Sequence, residues 1–182
     1  MSHTQSSIEE FCSTEEFHSV GHSDISDSTF GLFIWNEVPY YMRQFAKFSS
    51  AGDKYAISWN WASALLGSSW VFYRKMYLFG FIIFGAKIII ACIYMQYFIG
   101  YNKLLKVLFD VLFFLLYGIC GNYLYYKHAT NKLSNLWEST HETPQETIQE
   151  LGGTSGLSVL IYLIISTIIY SILGYFYLVS VK

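Results

Sequence analysis

Three long apolar segments dominate the second half of the chain. They run over residues 77–98, 104–126 and 157–181, and each reaches the roughly 20 residues that a helix needs to cross a hydrocarbon core. Because lipid offers the backbone no hydrogen-bonding partner, runs of this length predict transmembrane helices. The short sequence 100–103 predicts that the first two segments form an antiparallel hairpin. Residues 127–156 are predicted as a cytoplasmic loop before the third segment.

An aromatic stretch over residues 59–77 leads into the first apolar segment. Gly and Ser interrupt it at 67–69, so we predict a short helix over 60–66, a bend, and then one long helix. The sequence leaves open whether residues 56–73 cross the membrane or only dip into it. We favour the dip, because residues 73–76 contain no Gly or Pro at which the chain could reverse.

Trp, Tyr, Lys and Arg are concentrated where the apolar segments begin or end. Amphipathic rings with neighbouring cations are typical of the membrane–water interface, where the ring sits at headgroup depth and the charge stays hydrated. The sequence therefore predicts a set of interfacial anchors. They are Trp59, Trp61, Trp70, Tyr73, Arg74, Lys75, Tyr77, Tyr125, Tyr126 and Lys127.

Residues 31–54 predict an amphipathic helix ahead of the aromatic stretch. Pro39 suits the first turn of a helix, where its missing N–H costs nothing. Two arrangements remain open: the helix lies on the membrane surface, or it packs on the protein's own helices. The positions that define its two faces are Tyr41, Phe45 and Phe48 on the apolar face and Arg43 and Lys47 on the basic one.

Residues 1–30 predict an acidic, disordered tail. The first 42 residues contain no Lys or Arg, and the apolar content of the tail is too low to offset the entropy cost of ordering it. The remaining chain, 55–182, is predicted to form the helical membrane domain. The sequence thus predicts an all-α integral membrane protein with three transmembrane helices, an N-terminal interfacial helix and a membrane-dipping aromatic segment.

The composition supports a membrane protein and excludes some functions. Hydrophobic residues make up 53% of the chain and charged residues only 13%, about half the charged share of a soluble domain. A net charge of −2 offers no basic footprint for nucleic acid. The three cysteines are far apart and form no CxxC pair.

The distribution of basic residues predicts that the N-terminus is cytoplasmic, since Lys and Arg are more frequent in short cytoplasmic loops. In this orientation the basic residues near the inner ends of the apolar segments outnumber those near the outer ends. The inner residues are Arg74, Lys75, Lys127 and Lys132, and the outer residues are Lys103, Lys106 and Lys182.

Two ionisable residues, Lys87 and Asp110, lie within the first and second apolar segments. Charged side chains are costly in lipid, so they are candidates for function and for pairing with each other. In an antiparallel hairpin their depths differ by only about 7 Å, which a lysine side chain can bridge. The pair could hold the hairpin together, it could belong to an ion or proton path, or each side chain could reach separately towards the interface.

No catalytic motif is present. The sequence contains no GxSxG, HExxH, P-loop or GxGxxG pattern, so we expect no enzyme, no metal and no cofactor. We expect a multi-pass protein that acts through helix–helix or lipid-surface interactions. Its expected partners are the bilayer and either a second copy or another membrane protein. The alternative is a small oligomeric channel or transporter that uses Lys87 and Asp110.

Five groups of residues resemble one family of small bacterial inner-membrane proteins, a family catalogued only as a domain of unknown function. The resemblance covers about residues 35–156 and departs at Ser68-Ser69, where the family has a Gly-Pro pair. It implies a helical architecture in the bacterial inner membrane and supplies no catalytic residues. The groups are Tyr40-Tyr41 with Phe45, Trp59-Asn60-Trp61-Ala62, Gly67 with Trp70 and Tyr73-Arg74-Lys75-Met76-Tyr77, Gly121-Asn122 with Tyr125-Tyr126, and Gly152-Gly153-Thr154-Ser155.

Overall fold

A computed structural model describes residues 26–98, 103–139 and 145–180 of the chain, and every regular element in these ranges is an α-helix. The helices are α1 Asp27–Ile34, α2 Val38–Ser50, α3 Trp61–Leu66, α4 Ser68–Tyr73, α5 Tyr77–Phe98, α6 Lys103–Ser139, α7 Gln145–Leu151 and α8 Gly156–Ser180. They belong to two compact units. Of the described residues, the first unit comprises 26–60, 118–139 and 145–154, and the second comprises 61–98, 103–117 and 155–180.

In the first unit α1 packs against α2 and α7. Its N-terminus is capped by the side chain of Ser26, which accepts a 3.3 Å hydrogen bond from the backbone N–H of Thr29. Phe30 then packs edge-on against Phe45 of α2, with ring centroids 5.7 Å apart. The predicted tail therefore extended too far: residues 27–30 are helical, because a cap and a buried ring hold them. The rest of the tail lies outside the described residues.

Two consecutive glycines at the end of α7 allow it to pack closely on α1. The N–H of Gly153 donates a 2.7 Å hydrogen bond to the carbonyl oxygen of Phe33, and Gly153 has a φ of +70°. A Cβ on Gly152 would lie 2.1 Å from the same carbonyl oxygen. The first glycine permits the close approach of α1 and the second permits the left-handed backbone, so larger residues would separate the two helices.

In the second unit α4 packs against α5 and α8, and α3 packs against α4. Trp70, Val71 and Phe72 of α4 are buried. The Phe72 ring stacks on Tyr162 of α8 with centroids 4.6 Å apart. A Cβ at Gly80 of α5 would lie 2.9 Å from the Phe72 ring, so this glycine allows α5 to approach α4.

The aromatic stretch is broken twice, whereas the sequence predicted one break. The bend at Gly67 is confirmed: its φ is +54°, and α3 ends and α4 begins on either side of it. The prediction of one continuous helix after the bend is wrong. The chain breaks again between α4 and α5, where Lys75 takes a left-handed φ of +56°. A non-glycine residue makes this turn, so the absence of Gly and Pro did not exclude it.

Helix α6 continues well past its predicted end at Tyr126, to Ser139. Residues 127–139 were predicted to begin the loop, but they contain no Gly or Pro and stay helical. Helix α8 begins one residue before the predicted third span. The Ser155 hydroxyl accepts a 3.2 Å hydrogen bond from the N–H of Ser158 and so caps it. The predicted turn of the hairpin falls mostly on residues 99–102, outside the described residues.

Two ranges of the described chain contain helices long and apolar enough to cross a membrane. One lies within Leu104–Trp137 and the other within Gln145–Val179. Only 17% and 6% of their most apolar stretches are buried inside the protein. The described apolar part of α5, Tyr77–Ile93, is shorter.

Candidate functional site

A buried network of polar side chains joins α2 and the extended segment 54–60 to α6 in the first unit. The side-chain amide of Asn60 donates a 2.8 Å hydrogen bond to the amide oxygen of Asn122. Asn122 in turn donates a 2.9 Å hydrogen bond to the hydroxyl of Tyr40. That hydroxyl donates to the carbonyl oxygen of Trp59 at 2.7 Å. Each of these buried groups has a partner, as a stable interior requires.

Gly118 of α6 lies directly beneath this network. The backbone N–H of Asn60 donates a 2.8 Å hydrogen bond to the carbonyl oxygen of Gly118. The indole of Trp59 covers the glycine so closely that a Cβ there would lie 2.5 Å from the ring. The missing side chain is therefore what lets the extended segment contact the helix backbone.

A second set of hydrogen bonds fixes the chain after α2. Asp53 has a left-handed φ of +59°, and its carboxylate accepts a short hydrogen bond from the hydroxyl of Tyr126. The hydroxyl of Tyr123 donates to the backbone carbonyl of Asp53 at 3.1 Å. Two tyrosines of α6 thus bind Asp53 in the connecting loop, one through its side chain and the other through its backbone.

The apolar face of α2 packs on α6 through aromatic rings. Tyr41 meets Tyr125 with ring centroids 5.1 Å apart, and Phe45 meets Tyr126 at 5.2 Å. Phe48 meets Tyr123 at 5.3 Å. Of the two arrangements left open for this helix, the structure has the apolar face packed on the protein. Its basic face remains exposed.

His128 is buried next to this packing. Its ring lies 6.1 Å from the Phe33 ring, and its Nε2 has no hydrogen-bond partner among the described residues. Burial, together with the positive charge of Lys132, lowers the pKa of His128 to about 4. The imidazole is therefore neutral at physiological pH.

Lys87 and Asp110 in the second unit have different partners. The ammonium of Lys87 lies 5.5 Å from the ring centroid of Phe113 and 5.1 Å from that of Tyr117. The carboxylate of Asp110 forms a 2.7 Å ion pair with Lys106, one helical turn away. Among the described residues the predicted Lys87–Asp110 pair makes no direct ion pair: a lysine on the same helix pairs with the carboxylate, and two aromatic faces contact the Lys87 ammonium.

The comparison with known families agrees with the resemblance noted in the sequence. Residues 22–130 match the family described as "Protein of unknown function (DUF2628)". The chain belongs to this family. The match begins and ends earlier in the chain than the resemblance, which covers about residues 35–156. It contains the network residues Tyr40, Asn60 and Asn122. No curated protein and no solved structure matches the chain.

The structure of this DUF2628 chain divides the predicted interfacial anchors into three groups. The exposed ones are Trp61 at 65% and Tyr77 at 42%. The buried ones are Trp70, Arg74, Tyr125 and Tyr126. The half-buried ones are Trp59, Tyr73, Lys75 and Lys127. The buried rings are too deep in the protein to contact headgroups, because they pack against α2 or within α4 and its neighbours.

Sequence reasoning missed the hydrogen bonds at the centre of the DUF2628 network. Tyr40, Asn60 and Asn122 were all recognised as part of the family pattern, but the bond between Asn60 and Asn122 joins residues 62 positions apart. The pattern did not indicate that these residues contact one another. Within the described ranges, no group of three or more His, Cys, Asp or Glu could hold a metal ion.

Proposed function

We propose that this DUF2628 chain is a multi-pass membrane protein in which α5, the apolar run 104–126 of α6, and α8 each cross the bilayer. It acts through helix–helix or lipid-surface contacts rather than by catalysis. The proposed location is the bacterial inner membrane, with a cytoplasmic N-terminus. The observation that carries the proposal is the exposure of α8, described next.

Helix α8 exposes large apolar side chains around most of its circumference. Leu163, Ile164 and Ile165 are consecutive and all exposed, and successive residues of a helix point about 100° apart. A soluble protein rarely exposes an apolar surface of this size, whereas lipid requires one. The large apolar residues of α8 that are 45–67% exposed are Leu157, Leu160, Ile161, Leu163, Ile164, Ile165, Ile168, Ile172, Tyr175, Phe176, Leu178 and Val179.

Helix α3 supports the membrane-dipping segment. It contains six residues, and Trp61, Leu65 and Leu66 are 65%, 70% and 56% exposed. Trp61 and Leu65 are one turn apart and so point the same way. A helix this short cannot cross a bilayer, but an apolar face of this kind suits insertion at headgroup depth.

The polar groups of the first unit support a structural role. The side chains of Tyr40, Asn60 and Asn122 bond to one another or to the backbone. The carboxylate of Asp53 bonds to Tyr126. These are the hydrogen bonds that hold α2 and the segment 54–60 on α6, so they already have a function in stabilising the fold.

Membrane extraction and thiol labelling test this proposal. We expect the full chain to stay in the membrane fraction after alkaline carbonate extraction. In a Cys92→Ser/Cys120→Ser background, we expect an impermeant thiol reagent to label Cys12 only after the cells are permeabilised. Release by carbonate would contradict membrane insertion, and labelling in intact cells would contradict the cytoplasmic N-terminus.

A channel or transporter is the second candidate, and the position of Lys87 favours it. Its ammonium lies among apolar helices and contacts two rings, and among the described residues no carboxylate forms an ion pair with it. A cation held in this way within a membrane marks a candidate ion path. Ion flux through liposomes that falls with Lys87→Met and with Asp110→Asn would support this function, and an absence of flux in the wild type would oppose it.

A further inference from the structure

Helix α2 crosses α6 at the end of the apolar run of α6. The ring contacts of α2 with α6, and its hydrogen bond from Asn122, fall on residues 122–126 of α6. The α2 residues that make them run from Tyr40 to Phe48. Nine helical residues extend about 13 Å, whereas five cover only about 7 Å of a helix axis, so α2 crosses α6 at an angle. Where α6 crosses a membrane, this crossing point at the end of the apolar run lies at headgroup depth.

The side of α2 that faces away from α6 is basic. Arg43 and Lys47 are exposed and one turn apart, and they lie opposite the buried face formed by Tyr41, Phe45 and Phe48. The Lys47 ammonium donates only to Gln44, at 3.2 Å. Among the described residues, neither Arg43 nor Lys47 forms an ion pair with a carboxylate.

Two more cations extend this surface. Lys54 is exposed just after α2. Lys127 is the first residue beyond the apolar run of α6, and its ammonium lies 5.8 and 5.9 Å from the ring centroids of Tyr123 and Tyr126. The carboxylates nearby in sequence are those of Glu37, at the N-terminal end of α2, and Asp53, which accepts from Tyr126. We call Arg43, Lys47, Lys54 and Lys127 the basic surface.

We propose that the basic surface binds the headgroups of anionic phospholipids. This inference rests on the proposed membrane location. Because the apolar face of α2 is buried against α6, the helix cannot insert it into lipid, so its contact with the membrane is electrostatic. Such a contact selects anionic lipids over zwitterionic ones and weakens as salt is added. At the headgroup depth of the basic surface, the available anions are lipid phosphates.

The test measures the affinity of the purified full-length chain for a fluorescent phosphatidylglycerol in mixed micelles, with phosphatidylcholine as competitor. We expect phosphatidylglycerol to be preferred at low salt and the preference to fall as salt rises. Each cation at an anionic surface contributes about fivefold in binding. Lys47→Gln should therefore weaken binding about fivefold and Arg43→Gln/Lys47→Gln about 25-fold. Arg43→Lys should retain the affinity and show that the fold is intact.

Lys132→Gln is the matched control, because it removes one exposed lysine from α6 beyond the basic surface. Equal affinity for the two lipids, or an equal loss in Lys132→Gln and Lys47→Gln, would overturn the inference. Cell-free synthesis with pure phosphatidylcholine vesicles separates the two proposals. A chain that does not float with these vesicles contradicts the membrane location itself. A chain that floats but shows no preference for phosphatidylglycerol contradicts only the lipid-binding inference.

Discussion

The side-chain amide of Asn60 donates a 2.8 Å hydrogen bond to the side chain of Asn122, and the two residues are only 1% and 0% exposed. Asn60 ends the extended segment that follows α2, and Asn122 lies near the end of the apolar run of α6. This single bond therefore connects the start of the aromatic stretch to the helix proposed to cross the membrane. Burying an amide without a hydrogen-bond partner costs free energy. Each of the two amides supplies the partner that offsets this cost for the other.

Replacing Asn122 should destabilise the first unit. Asn122→Ala leaves the Asn60 amide without its acceptor and removes a donor from Tyr40, and a buried unsatisfied group costs about 1–3 kcal/mol. Thermal unfolding in detergent measures the loss. Asn131→Ala is the control, because Asn131 is exposed on the same helix. Equal stability of the two variants would mean that the buried bond contributes nothing.

Gly118 should not tolerate alanine. In an ordinary helix, Gly→Ala stabilises by up to about 1 kcal/mol. At Gly118 the new Cβ would lie 2.5 Å from the Trp59 ring, whereas at Gly174 it would meet nothing within 4 Å. We expect Gly118→Ala to lower the unfolding temperature and Gly174→Ala to leave it equal or higher. The smaller ring in Trp59→Phe should restore part of the loss, and a failure to do so would place the clash elsewhere.

The sequence predicted the long helices because lipid-compatible runs of 20 or more residues have few other structures available. It did not predict the break at Lys75, since a left-handed lysine is stabilised by surrounding contacts and not by its own preference. Nor did it predict that Trp70, Tyr125 and Tyr126 are buried. An aromatic residue beside a cation has the same local pattern whether it faces headgroups or another helix.

The candidate site was harder to predict than the helices. The bonds of Tyr40, Asn60 and Asn122 connect residues that are far apart in the chain. No periodicity specifies which polar residue of one element meets which residue of another. Asp110 is a second example. The sequence predicted Lys87 as its partner because the two residues lie at similar depth, whereas the structure pairs it with Lys106 on its own helix.

The buried imidazole of His128 should make stability depend on pH. Its pKa is lowered from 6.5 to about 4 in the folded protein, so between these values the unfolded chain binds the proton and the folded chain does not. Stability should therefore fall as the pH drops below 6.5 and level off near pH 4. Unfolding temperatures of wild type and His128→Gln across this range test it. A decline of equal size in both proteins would assign the effect to other groups.

Double-mutant cycles should show that the interaction energy of Asp110 with Lys106 is larger than that of Asp110 with Lys87. The Lys106 ammonium and Asp110 carboxylate are 2.7 Å apart, so we expect this pair to show the larger coupling. The effects of Lys87→Met and Asp110→Asn should add to within about 0.5 kcal/mol, as for residues without a shared contact. Unfolding free energies of the wild type, the two single variants and the double variant in each cycle give both values. A larger coupling for Lys87–Asp110 than for Lys106–Asp110 would restore the pair expected from the sequence, and would place the carboxylate against α5 in the folded protein.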